Sequence, residues 1–363
     1  MKKIVVLATY VGEINRGAET FVIELVKQLR SSYDIEVYSK GYSSAIKDLI
    51  VKVENQIPKW FKFHKWLYHN FYPFRYICYK KMRWTPDSLE QNFFNQHVYN
   101  TYLKGRTDID LMFPNNGLEG AKISKLLRDE NNIPFIYTGH GGIGISEELI
   151  LKENPDLYIC LTEAHRKWAL QYTKKLIKIP NGVDIGMFKS IPKISKKKKL
   201  VICVAAFVSI KRQKLLIDAV SLLEDIELLL LGNGEMKDEL KKYGNEKLRD
   251  RFEIKSVDYN EVPKYYQRAD LFSLATKEEP FGIVYLEAMA SNLPVVAPDD
   301  SPRREIIGNS GLFCNVESAK EYAETIKKAL SHDWGDLPRN RVAQFFDWEK
   351  IANQYKTEIE KLT

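Results

Sequence analysis

Short apolar runs alternate with amphipathic stretches along the chain. "IVVLATY" is followed by the helical period of "ETFVIELVKQLR", and later come "DLMFP", "PFIYTGH", "DLYICLT" and "LIKIPNG". Strands apolar on both faces and separated by helices predict a parallel sheet. After Phe188 the periodicity stops at "KSIPKISKKKK", a Pro- and Lys-rich stretch that predicts an exposed linker over 189–199. A second series then runs "LVICVAAF", "QKLLIDAVSLL", "IELLLLG", "GEMKDELKKYG", "RFEIKSV", "EVPKYYQRA", "DLFSLAT", "IVYLEAMAS" and "LPVVAP", strand and helix in turn. The pattern predicts α/β architecture: two tandem Rossmann-like, doubly wound domains over 1–188 and 200–346, with ligands at the carboxyl ends of the strands and in the cleft between domains. The last segment, 347–363, has helical period in "DWEKIANQYKTEIEKL" and is expected to pack toward the first domain.

Composition narrows the class. At 363 residues, 44% of them hydrophobic, the chain can bury more than one ordinary core. Its formal charge of +7 points to an anionic partner, be it phosphate, nucleic acid or a lipid surface. Cys78, Cys160, Cys203 and Cys314 lie far apart without a C-x-x-C and read as reduced core residues, which fits a cytoplasmic location. The opening "MKKIVVLATYVGE" reads as a first strand, because an acid stands where a cleavage site would fall. No run approaches the roughly 18 uncharged apolar residues of a membrane span.

The chemistry concentrates in "EEPFGIVYLEAM", where Glu279 and Glu287 stand eight positions apart around a Pro-Phe-Gly turn. Gly282 permits a tight turn, and the helix that follows offers free N–H groups and a positive dipole end to an anion such as phosphate. Eight residues of continuous helix would separate the two acids by about 12 Å. Paired glycosidase carboxylates stand roughly 5 to 9.5 Å apart, so that role is disfavoured. An extended ligand with hydroxyls at both ends and phosphate between them fits better, and a nucleotide-diphosphate sugar has that shape. The same pattern would also suit two solvated acids at a helix start.

"EPFGIVYLEAMASNLPVVA" resembles the E-x7-E signature of retaining glycosyltransferases of the GT-B fold, glycosyltransferase family 4. "RGAETFVIELVKQL", "YTGHGG", "IPNGVDIGMF", "KRQKLLIDAV" and "RREIIGNSGLF" match in the order that family requires. The resemblance implies that Glu287 accepts from the ribose hydroxyls and Glu279 contacts the transferred sugar. Phe281, Gly282 and Ile283 would supply backbone contacts. Lys211 would neutralise the diphosphate, stabilising charge that grows on the leaving group. Gly17 would admit the phosphates, and His140 would lie near the reacting centre. A loop histidine with only structural hydrogen bonds is the alternative for His140. The family commonly carries Gly-Arg ahead of the lysine, where this chain has "AAFVSIK" with Ala206 at the arginine's place; Arg212 is the candidate to replace that guanidinium. Lys255 stands where a glycine is usual and leaves the nucleotide base open.

Two further segments bear on function. "GHGGIG", 139–144, satisfies G-x-G-x-x-G after an apolar run, with Glu163 about twenty residues on, the pattern of an NAD-dependent oxidoreductase. Its position in mid-domain argues against that reading. The segment 58–84, "PKWFKFHKWLYHNFYPFRYICYKKMRW", holds seven Lys or Arg, no acid and eleven aromatic residues, a density no average surface has. At helical spacing Trp60, Phe63, Leu67 and Phe71 share one face, and Lys62, Lys65 and His69 another, until Pro73. That is the pattern of a helix lying on an anionic membrane surface, or of aromatics packed on the first domain with lysines outward. No nucleic-acid motif accompanies it.

Three readings follow. The first is a cytoplasmic, peripheral, retaining hexosyltransferase that uses a nucleotide-sugar donor and a glycan or lipid-linked acceptor. It would need no metal, since Lys211, Arg212 and helix-end amides can hold the diphosphate. The second is a non-catalytic scaffold of the same fold, and the third is the oxidoreductase.

Overall fold

The computed structural model describes residues 1–13, 17–54, 58–71, 85–115, 117–192 and 198–363. The chain forms two compact units, one of Met1–Leu161, His165–Ile179 and Ala352–Thr363, the other of Thr162–Ala164 and Pro180–Ile351. In the first, the apolar runs form β1 (Lys3–Leu7), β4 (Leu111–Pro114), β5 (Ile136–Thr138), β6 (Leu157–Cys160) and β7 (Leu176–Lys178). The more polar β2 (Asp34–Ser39) and β3 (Ile50–Lys52) join them. All pairings are parallel, in the orders β3-β2-β1-β4 and β5-β6-β7, and a parallel bridge from Met112 to Phe135 links the two sheets. β4 and β6 are buried along their whole length, as the continuous apolar runs require.

The second unit is one parallel sheet of β8 (Lys199–Val204), β9 (Ile226–Leu231), β10 (Phe252–Lys255), β11 (Leu271–Ser273), β12 (Val295–Pro298) and β13 (Gly311–Cys314). Its order is β10-β9-β8-β11-β12-β13. The first and fourth strands of the unit are therefore neighbours, and the winding reverses between them. Loops leaving the carboxyl ends of such a pair diverge and open a crevice, the place where ligands bind in sheets of this kind. Cys160, Cys203 and Cys314 are buried and form no disulfide among the described residues, while Cys78 lies outside them. Of the expected linker, 193–197 lie outside them too, and Lys199 already opens β8.

The basic and aromatic segment forms a helix over Lys59–Asn70, and 72–84 lie outside the described residues. Of the expected aromatic face, Trp60, Phe63 and Phe71 are exposed and Leu67 is half-buried. Phe61 and Tyr68 supply the buried stripe, with Phe61 packing edge-on to Phe93 at 5.9 Å. Lys65 does not face outward with Lys62 but turns to the buried Glu90, 3.2 Å away. Trp60, Phe63 and Trp66 are instead 49–59% exposed. The stripe shifts because Glu90, already paired with Lys40, offers a buried charge that draws in a second cation. His69's side chain lies outside the described residues.

The last helix, Trp348–Leu362, returns the chain to the first unit. There Tyr355 is fully buried against Phe21 and Phe113, with ring centroids 5.8 and 6.1 Å away, and its hydroxyl meets Thr138 Oγ1 at 3.1 Å. Tyr33 donates to Glu360 at 2.7 Å. Removing the Tyr355 hydroxyl costs about 1 kcal/mol, and Tyr355→Ala about 3–5 kcal/mol through the cavity it leaves. Urea unfolding of the first unit should show midpoints falling in that order; three equal midpoints would show that this helix contributes nothing.

Candidate functional site

In the second unit the residues singled out above gather on the loops after β8 and β11, the strands at which the winding reverses. The loop after β8 ends in a short 3-10 turn, Ser209–Lys211, and leaves it at Arg212, whose φ of 50° is the left-handed conformation. Three contacts tie this turn to the loop after β11. Thr276 Oγ1 donates to the Ile210 carbonyl at 3.1 Å, Arg212 Nε donates to the Ala275 carbonyl at 2.9 Å, and Lys211 Nζ pairs with Glu279. Arg212 also pairs with Glu317 through Nη1, so its guanidinium holds the loop in place.

Beneath these loops runs Arg303, only 2% exposed. Its Nη2 donates to the Thr276 carbonyl at 3.0 Å and its Nη1 pairs with Asp300, which also caps the helix Ser301–Ile307 by accepting from the Arg303 amide at 3.0 Å. The same buried guanidinium thus fixes both the strand-end loop and the next helix start.

The Pro-Phe-Gly turn follows. Phe281 is buried near Phe346, and Gly282 has φ 82° at the start of the helix Ile283–Ala290. A Cβ on Gly282 would stand 2.7 Å from the Tyr285 ring and 3.0 Å from Glu279 Cγ, so no other residue fits without moving one of them. The amides of Ile283 and Val284 have no protein acceptor among the described residues. They form, with the dipole of the helix, an anion-receptive end. Within the helix, Glu287 is 4% exposed and each carboxylate oxygen accepts one phenol: Oε1 from Tyr259 at 3.0 Å, Oε2 from Tyr266 at 3.1 Å. Burial pushes its pKa up to about 7, against the pull of the two hydroxyls.

The junction motif "IPNGVDIGMF" proves architectural. A Cβ at Gly182 would stand 2.6 Å from the Trp348 indole, and Asp184 Oδ1 accepts from the amides of Gly186 and Met187 at 2.8 and 2.9 Å. Arg339 secures the same stretch, donating to the carbonyls of Phe188 at 2.9 Å and Ile185 at 3.1 Å, and it also bonds the Ala290 carbonyl at the end of the Glu287 helix.

In the first unit, Gly17 opens the helix Gly17–Leu29, and 14–16 lie outside the described residues. One turn on, Phe21 packs against the His140 ring at 4.6 Å, edge to face. Burial, helped by His165, holds the His140 imidazole down to about 3, so it is neutral near pH 7. Its Nε2 is buried with no partner among the described residues. The "GHGGIG" segment leads from β5 into the helix Ile145–Lys152, and the Gly141 amide donates to Glu147 Oε1 at 2.7 Å. A dinucleotide phosphate would find that amide already taken by a carboxylate.

Residues 186–344 match the family model described as glycosyl transferases group 1. Over 96% of its length the chain is 24% identical to mannosylfructose-phosphate synthase of Agrobacterium fabrum, covering 87% of that protein. Over 49% of its length it is 30% identical to the Campylobacter jejuni N-acetylgalactosamine-N,N'-diacetylbacillosaminyl-diphospho-undecaprenol 4-alpha-N-acetylgalactosaminyltransferase, covering 52% of it. Anabaena HepE, solved in complex with UDP-glucose, superposes with a TM-score of 0.76 at 20% identity, covering 99% of this chain and 100% of that one. The fold is the GT-B fold.

Arg303, Arg339, Tyr259 and Tyr266 were not singled out from sequence. Arg303 had a signal, an Asp-Ser-Pro helix start after a strand, whereas the two tyrosines look like ordinary core positions of a short helix and its approach. From the geometry of the turn, Gly282→Ala should cost about 1–3 kcal/mol and lower the melting temperature of the second unit. An unchanged melting temperature would contradict the tight turn.

Proposed function

We propose that the protein is a retaining glycosyltransferase that transfers a sugar from a nucleoside-diphosphate sugar to a glycan or lipid-linked glycan on the cytoplasmic side of a membrane, in the synthesis of a surface polysaccharide or glycolipid. The observation that carries this reading is the pairing of Lys211 with Glu279 beside the open amides of Ile283 and Val284, on the two loops where the sheet reverses. A diphosphate drawn to those amides competes for Lys211 and releases Glu279 toward the hydroxyls of the donor sugar. Lys211 then stabilises the charge that grows on the leaving phosphate while the anomeric carbon becomes oxocarbenium-like. Attack by the acceptor on the face the phosphate leaves, with that phosphate as base, retains configuration. His140, neutral and with a buried ring nitrogen to offer, hydrogen-bonds the donor sugar.

Glu287 reads the ribose by sharing its carboxylate with Tyr259 and Tyr266. Phe281, Gly282 and Ile283 contribute main-chain contacts, Gly17 lets the phosphates approach, and Arg212 acts by holding the loop that presents Lys211. No metal is part of the reading. Among the described residues no group of three His, Cys, Asp or Glu is arranged to hold one. The UDP-glucose complex of Anabaena HepE makes UDP the first nucleotide to test.

Titration calorimetry with UDP, GDP, ADP and NAD, without and with divalent metal, should find metal-free binding of one nucleoside diphosphate. Glu287→Ala should weaken it by about tenfold to a hundredfold, the value of a charged hydrogen bond. Lys211→Ala should lower kcat by about 10²–10³. Because the ionised Glu287 is the stronger acceptor, affinity should be full above pH 7 and fall as pH drops through 7, and Glu287→Gln should flatten that profile. Normal transfer by both alanine variants would sink the assignment, and binding of NAD alone would restore the oxidoreductase.

The exposed Trp60, Phe63 and Trp66, with Lys62 beside them, favour a helix that lies on an anionic lipid surface and brings the enzyme to a lipid-linked acceptor. Among the described residues no helix is long and apolar enough to cross a membrane. The diphospho-undecaprenol substrate named for the Campylobacter relative is of the same acceptor class. Phosphatidylglycerol vesicles should carry the protein into the pellet at low salt, and the triple change of Trp60, Phe63 and Trp66 to Ala should leave it in the supernatant. Retention of the triple variant on vesicles would remove this helix from the proposal.

A further inference from the structure

His140 is poorly determined by its own side chain. Its Nε2 has no partner among the described residues, and its ring packs against Phe21 at 4.6 Å. The backbone that aims it is flanked by glycines at 139 and 141, with Gly142 in the left-handed region at φ 74°. With three glycines in four residues, such a loop has little conformational preference of its own and needs an outside anchor.

The anchor is a buried carboxylate. Glu147, 3% exposed on the helix Ile145–Lys152, accepts the Gly141 amide on Oε1 at 2.7 Å and the Tyr158 hydroxyl on Oε2 at 2.6 Å. Tyr158, at the centre of β6 and fully buried, in turn has its hydroxyl 3.0 Å from His165 Nε2. With the phenol proton given to Glu147, His165 Nε2–H donates to the phenol oxygen, and the chain His165, Tyr158, Glu147, Gly141 is complete. The other wall of the loop is equally close. A Cβ at Gly139 would lie 2.2 Å from the Tyr158 hydroxyl and 2.5 Å from His165 Cε1, and one at Gly141 would lie 2.7 Å from Glu147 Oε1. Tyr158 itself is stacked on Tyr137, with centroids 6.1 Å apart and planes 6° from parallel, and Tyr137 accepts the Gly117 amide at 3.0 Å.

We infer that Glu147 is a positioning residue for the glycosyl transfer: through the Gly141 amide and the Tyr158–His165 relay it fixes the direction of His140. The inference rests on the reading that His140 meets the donor sugar. A buried carboxylate is a costly way to fill space, since an apolar side chain of like size would serve packing alone. Two donors converge on its two oxygens, and a glutamine would keep the Gly141 contact only by turning its amide nitrogen to Tyr158, which reverses the phenol's donation and the His165 tautomer. Burial pushes the Glu147 carboxyl up to about 7, against the pull of the Tyr158 hydroxyl and the Gly141 amide.

The test uses the whole chain with Glu147→Gln, Tyr158→Phe and His140→Ala. With six histidines in the sequence, ring-nitrogen NMR can assign His140 by its loss in His140→Ala. In Glu147→Gln the His140 ring signals should shift, kcat should fall at least tenfold, and the nucleotide Kd, set in the other unit, should change less than twofold. Tyr158→Phe, which keeps the Gly141 contact, should give the same changes to a smaller degree. Unshifted His140 signals in Glu147→Gln would overturn the inference, and so would a kcat loss in Glu147→Gln with none in Tyr158→Phe and no NMR change. If Glu147→Gln does not fold, Tyr158→Phe alone decides by the same two readouts. Full activity of His140→Ala would instead overturn the reading of His140, and the NMR shift would still report whether Glu147 positions it.

Discussion

The site in the second unit depends on the stitching of two loops that a parallel sheet would otherwise leave apart. β8 and β11 end side by side with their connections diverging, and nothing in strand pairing holds those connections. Thr276 on the Ile210 carbonyl, Arg212 on the Ala275 carbonyl and Lys211 on Glu279 close the gap. Each joins a side chain of one loop to the other loop, so the lysine and the acid are delivered together. Arg303 sets the height of the whole assembly from below, through the Thr276 carbonyl.

The two units use the same device on different groups. In each, a glutamate on a short helix is buried and accepts tyrosine hydroxyls: Glu147 from Tyr158, and Glu287 from Tyr259 and Tyr266. A carboxylate in such a place cannot relax toward solvent, and it transmits its geometry to what it touches. For Glu287 that is the rim of the proposed nucleotide site; for Glu147 it is the glycine loop that carries His140.

Most of the strands were legible because a strand buried on both faces must be apolar; β4 and β6 are so throughout, and β1, β8 and β9 are so beyond their first one or two residues. β2 and β3 were missed because Glu36 and Lys52 interrupt them; Glu36 is neutralised by Arg106 and Lys3, a pairing invisible to periodicity. In the site, Gly282, Glu279, Glu287 and Lys211 were legible as a motif with a turn, a helix start and charge. Arg212 was legible as a cation but not as a clasp, since only the fold brings Ala275 and Glu317 to it. The outward turn of Trp66 and the inward turn of Lys65 were decided by Glu90, twenty-five residues further along the chain.

The return of Ala352–Thr363 to the first unit has a consequence for how the protein is made. Residues 180–351, almost the whole second unit, leave the ribosome before the strip that covers Phe21 and Phe113 exists. Domains complete themselves in the order their parts are translated, at about 5–20 residues per second. For the time needed to synthesise those residues, the first unit therefore waits with an apolar groove of Ile4, Val22, Leu25 and Phe113 uncovered, and the later-made unit is the earlier one to close.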